Sequence, residues 1–327
     1  MTRIMQAAGV EQFGQALVLR EWNITSPGPG QILDKSEACG VCHTELHAAR
    51  GEIPARPERP FIPRHGGVGR AAAVGAGVMS VKQGDRVGVP WAQSACGHCE
   101  HCLAGWGTAC SGAGYSGYTR HGGFAEIMLA DASDVANIAG SRGHLAVQYA
   151  KATGLRICVI NIDNRKLAHA TRLAANGVSN AHDGKSADSG GPADSAAAVR
   201  KATDGGGHGV PNTTLSLSAF QQGVRMTRKR GTCVRVGLQP GEFAVPLFDL
   251  VSNCITLRGS FVGTRQDMVE ALAFAATGPV QADIELQTLS AINHIFDPLE
   301  RGEVASRVVL DFMNGDAGDR PSSVRWS

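Results

Sequence analysis

No stretch of the sequence approaches the ~18 consecutive apolar residues of a membrane-crossing helix, so no helical span is expected. The opening segment MTRIMQAAGVEQFGQ also lacks the apolar core of a secretory signal, and the expected location is the cytoplasm. Net charge is equally scarce, since 31 Lys and Arg against 29 Asp and Glu leave +2 without a long basic run. That removes the electrostatic reason to expect nucleic acid or a membrane surface as partner. The longest basic cluster, Arg228-Lys229-Arg230 beside Gly231, is expected at the cationic end of a helix. Internal repeats are absent. What is present, 43% hydrophobic and 18% charged residues over a length of 327, is a globular composition with room for two domains.

The texture changes along the chain. The first 130 or so residues are rich in Gly, Pro and short apolar runs, and read as a mostly β domain with many turns. From Gly143 helical and strand patterns alternate: HLAVQYAKATG, RICVINID, NRKLAHATRLAANG, VSNA and SAAAVRKATDGG. A strand around Thr213 to Leu217 is expected next, because Pro211 would remove a ladder hydrogen bond from a central strand. AFQQGVRMTRKRG, TCVRVGL, ITLRGSFVG and TRQDMVEALAFAATG continue the alternation, which indicates an α/β domain with a parallel sheet. A last helix and strand fall in LSAINHIFDPLERGEVASRVVLDF, followed by a polar tail.

Nine cysteines in a chain expected in a reducing compartment argue for metal binding or catalysis before disulfides. In SACGHCEHC and the stretch after it, Cys96, Cys99, Cys102 and Cys110 can close a tetrahedral shell around Zn²⁺ with no open position, the mark of a structural site. A second cluster, CGVCHTELH followed by PRHGG, contains Cys39, Cys42, His43, Thr44, His47 and His65. Alone it fits a redox pair, a catalytic site or a few core residues.

With the motifs VEQFGQALVLREW, CGVCHTELHAARG, GDRVGVPW, SACGHCEHCLAGW, GHLAVQYAKATG, FVGTRQDMVEAL and SRVVLDF, the sequence resembles the zinc-dependent medium-chain alcohol dehydrogenase family over most of its length. The resemblance implies a GroES-like catalytic domain, residues 1–139 and 279–327, carrying the structural zinc lobe. It also implies a Rossmann-like doubly wound parallel sheet in residues 140–278. The implied reaction is reversible oxidation of a small primary or secondary alcohol to an aldehyde or ketone, with NAD as hydride acceptor. Cys42 and His65 become catalytic zinc ligands, with Cys39 a neighbour. Zinc with an open position lowers the pKa of an alcohol. Thr44 and His47 form a proton relay, His43 lies near the cofactor pyrophosphate, Trp91 borders the substrate pocket, and Arg307 pairs with a cofactor phosphate. Gly140 and Gly143 match the second and third glycines of the dinucleotide turn, Asn161 faces the ribose, and Lys166 suits NAD or NADP. Relatives imply a homo-oligomer, a dimer or tetramer. Without the resemblance, His43 and His47 read as surface histidines, Trp91 as a core aromatic and Arg307 as a solvated strand end.

The sequence departs from the family where chemistry is expected. Arg64 stands for a glycine and Gly66 for an acidic residue in the family's Gly-His-Glu, while Glu45 replaces an aspartate and lengthens the arm. Asn161 stands where an acid usually grips the ribose, with Asp163 the next acid on that face. Between LADASDVANIA and GSRGHLAVQ more than one supersecondary unit, ~30 residues or more, is missing. The gap takes the third zinc-ligand cysteine and the first strand of the cofactor sheet with its leading glycine. A zinc held by Cys42 and His65 alone should bind weakly unless Glu, Asp or another cysteine moves in. Cys158, Cys233 and Cys254 read as core. The lost strand is central in the order 3-2-1-4-5-6, and VANIAG is the segment available to fill it. Two further readings stay open: a catalytically impaired member serving as a zinc-stabilised binding or oligomeric protein, and a defective gene product.

Overall fold

The computed structural model describes residues 3–53, 57–137, 146–181, 195–237, 241–278, 280, 282–304 and 307–313. The chain divides into one unit of residues 1–144 with 263–327 and a second of residues 145–262. In chain order the first unit contributes β1 (Arg3–Gly9), β2 (Val18–Ile24), β3 (Gln31–Gly40), α1 (His43–Arg50), β4 (Gly67–Val74), β5 (Arg86–Val89) and β6 (Ala92–Ser94). Then follow α2 (Glu100–Leu103), a 3-10 turn, β7 (Gly114–Tyr115), β8 (Ile127–Asp131) and β9 (Ala136–Asn137). The second unit holds α3 (Ala146–Ala152), β10 (Cys158–Asn161), α4 (Asn164–Arg172), β11 (Gly177–Asn180), α5 (Ser195–Ala202), β12 (Gly207–Asn212), α6 (Leu217–Met226), β13 (Thr227–Arg235), α7 (Leu247–Ser252) and β14 (Thr256–Gly259). The chain then returns to the first unit with α8 (Arg265–Ala276), β15 (Ile284–Gln287), α9 (Ile292–Glu300) and β16 (Arg307–Asp311).

β3 organises the first unit, because it pairs antiparallel with β4, β8 and β16 and is covered on both sides. Ile32 packs with Ala71, Val87, Val89, Met128 and Ala130 in one cluster. Cys39, at the other end of the strand, joins Val41, Ile62, Phe124 and Leu310 in a second. α9 closes that second cluster with Ile292, Ile295 and Leu299, apolar positions spaced three and four apart on one helix face. The full sheet runs β15-β16-β3-β4-β5-β9, with β8 alongside β3. One residue breaks the apolar rule. Asp34 is fully buried in β3, neither of its oxygens has a partner among the described residues, and burial, with Glu37 adding to it, pushes its carboxyl up to about 8.

By contact α8 falls in the first unit, which resumes at residue 263. The physical reason is contact with β9: Arg265, in the first turn of α8, donates a hydrogen bond to the Ser133 carbonyl just before that strand. Thr264 and Asp267 form the capping box that starts the helix.

In the second unit the alternation yields parallel strands, but as two sheets, β10-β11 and β12-β13-β14. Matched to the order 3-2-1-4-5-6, β11 and β10 are strands 3 and 2, and β12 to β14 are strands 4 to 6. The position of strand 1 is not filled by any described residue. Ala136 and Asn137 of VANIAG pair with β5 in the first unit instead, and residues 138–145, with Gly140 and Gly143, lie outside the described residues. β10 is only half-buried along its length, although Cys158 and Ile160 pack with Val210 of β12 against Ala196, Val199 and Met226.

Three local expectations are corrected. β12 runs through Pro211 rather than starting after it. The Asn212 carbonyl faces β13, where it accepts from the Val236 N–H, so strand alternation turns Pro211 and its missing N–H toward the opposite edge, which has no partner among the described residues. Arg228-Lys229-Arg230 lies in β13, not at a helix end, because α6 stops at Met226 and Thr227 turns extended (φ −74°, ψ 131°). Cys233 is core and Cys158 half-buried as expected of strand residues, but Cys254 is exposed.

Candidate active site and metal centres

The first constellation grows from the N-terminus of α1. Cys42 is extended ahead of the helix, and the Glu45 Oε2 reaches back to accept the Cys42 N–H at 2.7 Å, one arm of a capping box. Gly51 ends the helix at φ 69°, where a side chain would be strained and where a Cβ would strike the Phe13 ring. Leu46, Ala48 and Ala49 anchor the helix in the core, which fixes where its first turn points. The segment carrying His65 is held separately. The Gly122, Gly123 and Phe124 N–H groups donate to the carbonyls of Ile62, Arg64 and Pro63, so the segment lies flat against backbone. A Cβ on Gly122 would lie 2.0 Å from the Arg64 carbonyl oxygen, so glycine is required there.

These two elements bring Cys42, Glu45 and His65 together, with one ligand atom from each lying within 4.8 Å of the others. The Cys42 Sγ is 3.1 Å and the Glu45 Oε1 3.3 Å from the His65 Nε2. No further cysteine joins this group among the described residues. Burial pushes the Cys42 thiol up to about 11, with the Glu45 charge adding to the effect, and takes His65 down to about 4 against the pull of Glu45. Burial alone would raise Glu45, but Arg64 and then His65 outweigh it and hold its carboxyl below the usual range. Arg64 is the residue whose position the sequence left without a role. Its backbone sits at φ 94°, a glycine-like conformation, and its buried guanidinium donates from Nη1 to Glu45 Oε1 at 3.1 Å and from Nε to Cys39 Sγ at 3.2 Å. Cys39 is therefore a neighbour of the group and not part of it.

The other expected residues fall around this group or in the second unit. Thr44 follows Cys42 and hydrogen-bonds it through its side chain, while His43 is exposed beside it. His47, one turn on, places Nδ1 2.5 Å from Glu52 Oε2 and leaves Nε2 buried without a partner among the described residues. Trp91 stands edge-on to His65, with ring centroids 5.2 Å apart and planes at 86°, and stacks on Tyr115 at 5.5 Å. Tyr118 completes the aromatic wall at 5.9 Å, and both Trp91 Nε1 and Tyr118 OH are buried without partners among the described residues. Arg307 of β16 donates to the Val41 carbonyl at 3.0 Å, next to Cys42. In the second unit Asn161 ends β10, but its Oδ1 accepts the N–H groups of Ile162 and Asp163 and so shapes the turn. Asp163 caps α4 and pairs with Arg165, and Lys166 follows half-buried on that helix. Glu52, Tyr115 and Tyr118 carried no motif, so only folding could reveal them; Glu45 was marked as a departure, not as a ligand candidate.

The second constellation is the lobe between β6 and β7. Cys96, Cys99, Cys102 and Cys110 bring their sulfurs within 4.8 Å of one another, and none is in a disulfide. Cys96 and Cys102 are 3.8 Å apart, the edge of a tetrahedron with Zn–S bonds of about 2.3 Å. Backbone N–H groups already point at two of the sulfurs: Cys99 N–H donates to Cys96 Sγ at 3.4 Å and Cys102 N–H to Cys99 Sγ at 3.5 Å. Such bonds, from His98 first and then Cys99, hold the Cys96 thiol down to about 6. The donor set fits a closed structural zinc site.

Known proteins match this arrangement. The family model described as an alcohol dehydrogenase GroES-like domain matches residues 28–140, and the one described as a zinc-binding dehydrogenase matches residues 143–277. An alcohol dehydrogenase from Moraxella sp. (strain TAE123) is 42% identical over 346 residues, covering 94% of this chain and 99% of that protein. One from Rhizobium meliloti (strain 1021) is also 42% identical, covering 95% of this chain and 99% of its own. The Moraxella alignment is longer than this 327-residue chain, so gaps fall within it. Among solved structures, a cinnamyl alcohol dehydrogenase from Sorghum bicolor superposes with a TM-score of 0.84 at 23% identity, covering 97% of this chain and 100% of that one. The alcohol dehydrogenase of Aeropyrum pernix gives 0.83 at 23% identity, covering 94% and 99%.

Proposed function

The chain belongs to the zinc-dependent medium-chain alcohol dehydrogenase family, and from that premise we propose that it catalyses reversible NAD-linked oxidation of a small primary or secondary alcohol. The observation that carries the reading is the Cys42–Glu45–His65 group beside Thr44 and the Trp91 wall. Cys42 and His65 would hold the zinc, which when bound would supply a Lewis acid for the alcohol oxygen, and a bound nicotinamide would supply the hydride acceptor. The residues of this chain position and deprotonate. Thr44, beside Cys42, receives the hydroxyl proton and passes it toward His47. Because Glu52 holds the Nδ1 side of that imidazole, Nε2 is the open end that takes the proton, and the Glu52 carboxylate stabilises the resulting cation. Trp91, Tyr115 and Tyr118 wall the substrate with flat apolar surface, and the unpartnered Trp91 Nε1 and Tyr118 OH offer donors to a substrate oxygen.

His43, Arg307, Gly140 and Gly143 are assigned to the cofactor phosphates, and Asn161 and Lys166 to its ribose, with NADP accepted beside NAD. The nine free cysteines suit a cytoplasmic location, and a dimer or tetramer is the expected assembly. The test is alcohol-dependent reduction of NAD on a sample whose zinc content is measured. About two zincs per chain with turnover supports the enzyme. A second reading, a zinc-stabilised family member without turnover, draws on the strand position between β10 and β12, which no described residue fills. One zinc and no turnover selects it.

A further inference from the structure

We propose that Glu45 is the third protein ligand of the catalytic zinc, standing in for the cysteine that the gap removes. The inference rests on the reading of Cys42 and His65 as zinc ligands, and it concerns what completes their shell. Zinc bonds of about 2.3 Å to sulfur and 2.0–2.1 Å to nitrogen or oxygen, set tetrahedrally, put neighbouring ligand atoms about 3.3–3.6 Å apart. The 3.3 Å from Glu45 Oε1 to His65 Nε2 is an edge of that size, and the 3.1 Å from Cys42 Sγ to the same nitrogen is about 0.5 Å short of the sulfur–nitrogen edge, so metal entry needs only a small outward shift of the thiol. The carboxylate is aimed before metal arrives. Its Oε2 is committed to the Cys42 N–H in the capping box, which turns Oε1 toward His65.

Arg64 supports the aim. Its Nη1 donates to Oε1 at 3.1 Å and the His65 backbone N–H approaches the same oxygen at 3.4 Å, so a metal would take the lone pair that the longer and weaker of these contacts occupies, while the ion pair holds the carboxylate in place. Two departures from the family thus become one device. An aspartate at position 45 would fall one methylene short of the metal; glutamate covers the distance, and the arginine at position 64 orients it. The completed shell, one thiolate, one imidazole and one carboxylate, leaves a fourth position open for an alcohol oxygen.

The experiment measures the affinity of the more weakly held zinc in the full-length protein by chelator competition, with total zinc content and circular dichroism as controls. Glu45→Asp and Glu45→Gln should each weaken that zinc at least about 10- to 100-fold while the four-cysteine zinc is retained. Glu45→Gln with Arg64→Met removes both charges of the buried pair, so no lone buried charge endangers folding, and the same loss is expected. Glu45→Gln also distinguishes a ligand from a mere support: after Co²⁺ replaces the weaker zinc, the ligand-field absorption of that site should change on losing the carboxylate while its single thiolate-to-cobalt band stays. Wild-type affinity in the folded double variant, or an unchanged ligand-field spectrum in cobalt-loaded Glu45→Gln, overturns the proposal while leaving Cys42 and His65 as ligands. A wild-type protein with no second zinc overturns the underlying reading as well.

Discussion

Replacing Asp34 with asparagine tests the energetics of the first unit most directly. The carboxyl is fully buried in β3, has no partner for either oxygen among the described residues, and has a pKa of about 8 against 3.8 for the free group. Between pH 4 and 8 the unfolded chain has lost this proton while the folded chain keeps it. The folded state therefore binds more protons, and stability must fall as pH rises. At 1.36 kcal/mol per unit, the penalty at pH 7 is about 4 kcal/mol, and from pH 5 to pH 8 it grows by about 3 to 4 kcal/mol. Asn fills nearly the same volume without a titrating proton, so Asp34→Asn should be more stable at neutral pH and should flatten this part of the profile. The tryptophans at 22, 91 and 106 lie in the first unit and residues 145–262 contain none, so urea unfolding followed by tryptophan fluorescence reports on the first unit selectively. Subtracting the two stability curves cancels every other titrating group that the substitution does not touch. A difference that stays constant from pH 5 to pH 8 would refute the reasoning and mean that Asp34 is solvated or partnered.

Thr44→Val removes the hydroxyl that starts the proton relay and should lower kcat by about 10²–10⁴ with zinc content unchanged, read by NAD reduction. Cys96→Ser opens the four-sulfur shell; expected are loss of the tightly held zinc and a lower unfolding temperature of the first unit, measured by zinc analysis and fluorescence melting. Amide hydrogen exchange should be faster in β10 and β12, each paired on one side only among the described residues, than in β13, which has a strand on each side; equal protection in all three would refute this. Thr264→Ala removes the cap of α8 and should cost about 1 kcal/mol in urea unfolding of the first unit.

Much of the site was legible because its chemistry is written in adjacent residues. Four cysteines within fifteen positions can hardly avoid one another, and Cys42, Thr44 and His47 share a single helix whose cap is encoded by Glu45. The sequence by itself determined the two kinds of domain and the four-cysteine lobe, since each follows from periodicity or spacing that local geometry preserves, whereas the reading of Cys42 and His65 as a ligand pair came from the family resemblance. Only the tertiary structure decided that Arg64 closes on Glu45 and Cys39, that Trp91 stacks with two tyrosines, and that Glu52 holds His47. These meetings depend on loop packing that periodicity does not record. Pro211 shows the same limit, because proline is excluded from a strand with neighbours on both sides, and whether β12 has two neighbours is a property of the sheet. The segment VANIAG is the sharpest case. Its apolar pattern suits either sheet, and the pairing of Ala136 and Asn137 with β5 put its start in the first unit's sheet, because which strand edge a short apolar run meets is a property of the folded chain and not of its pattern.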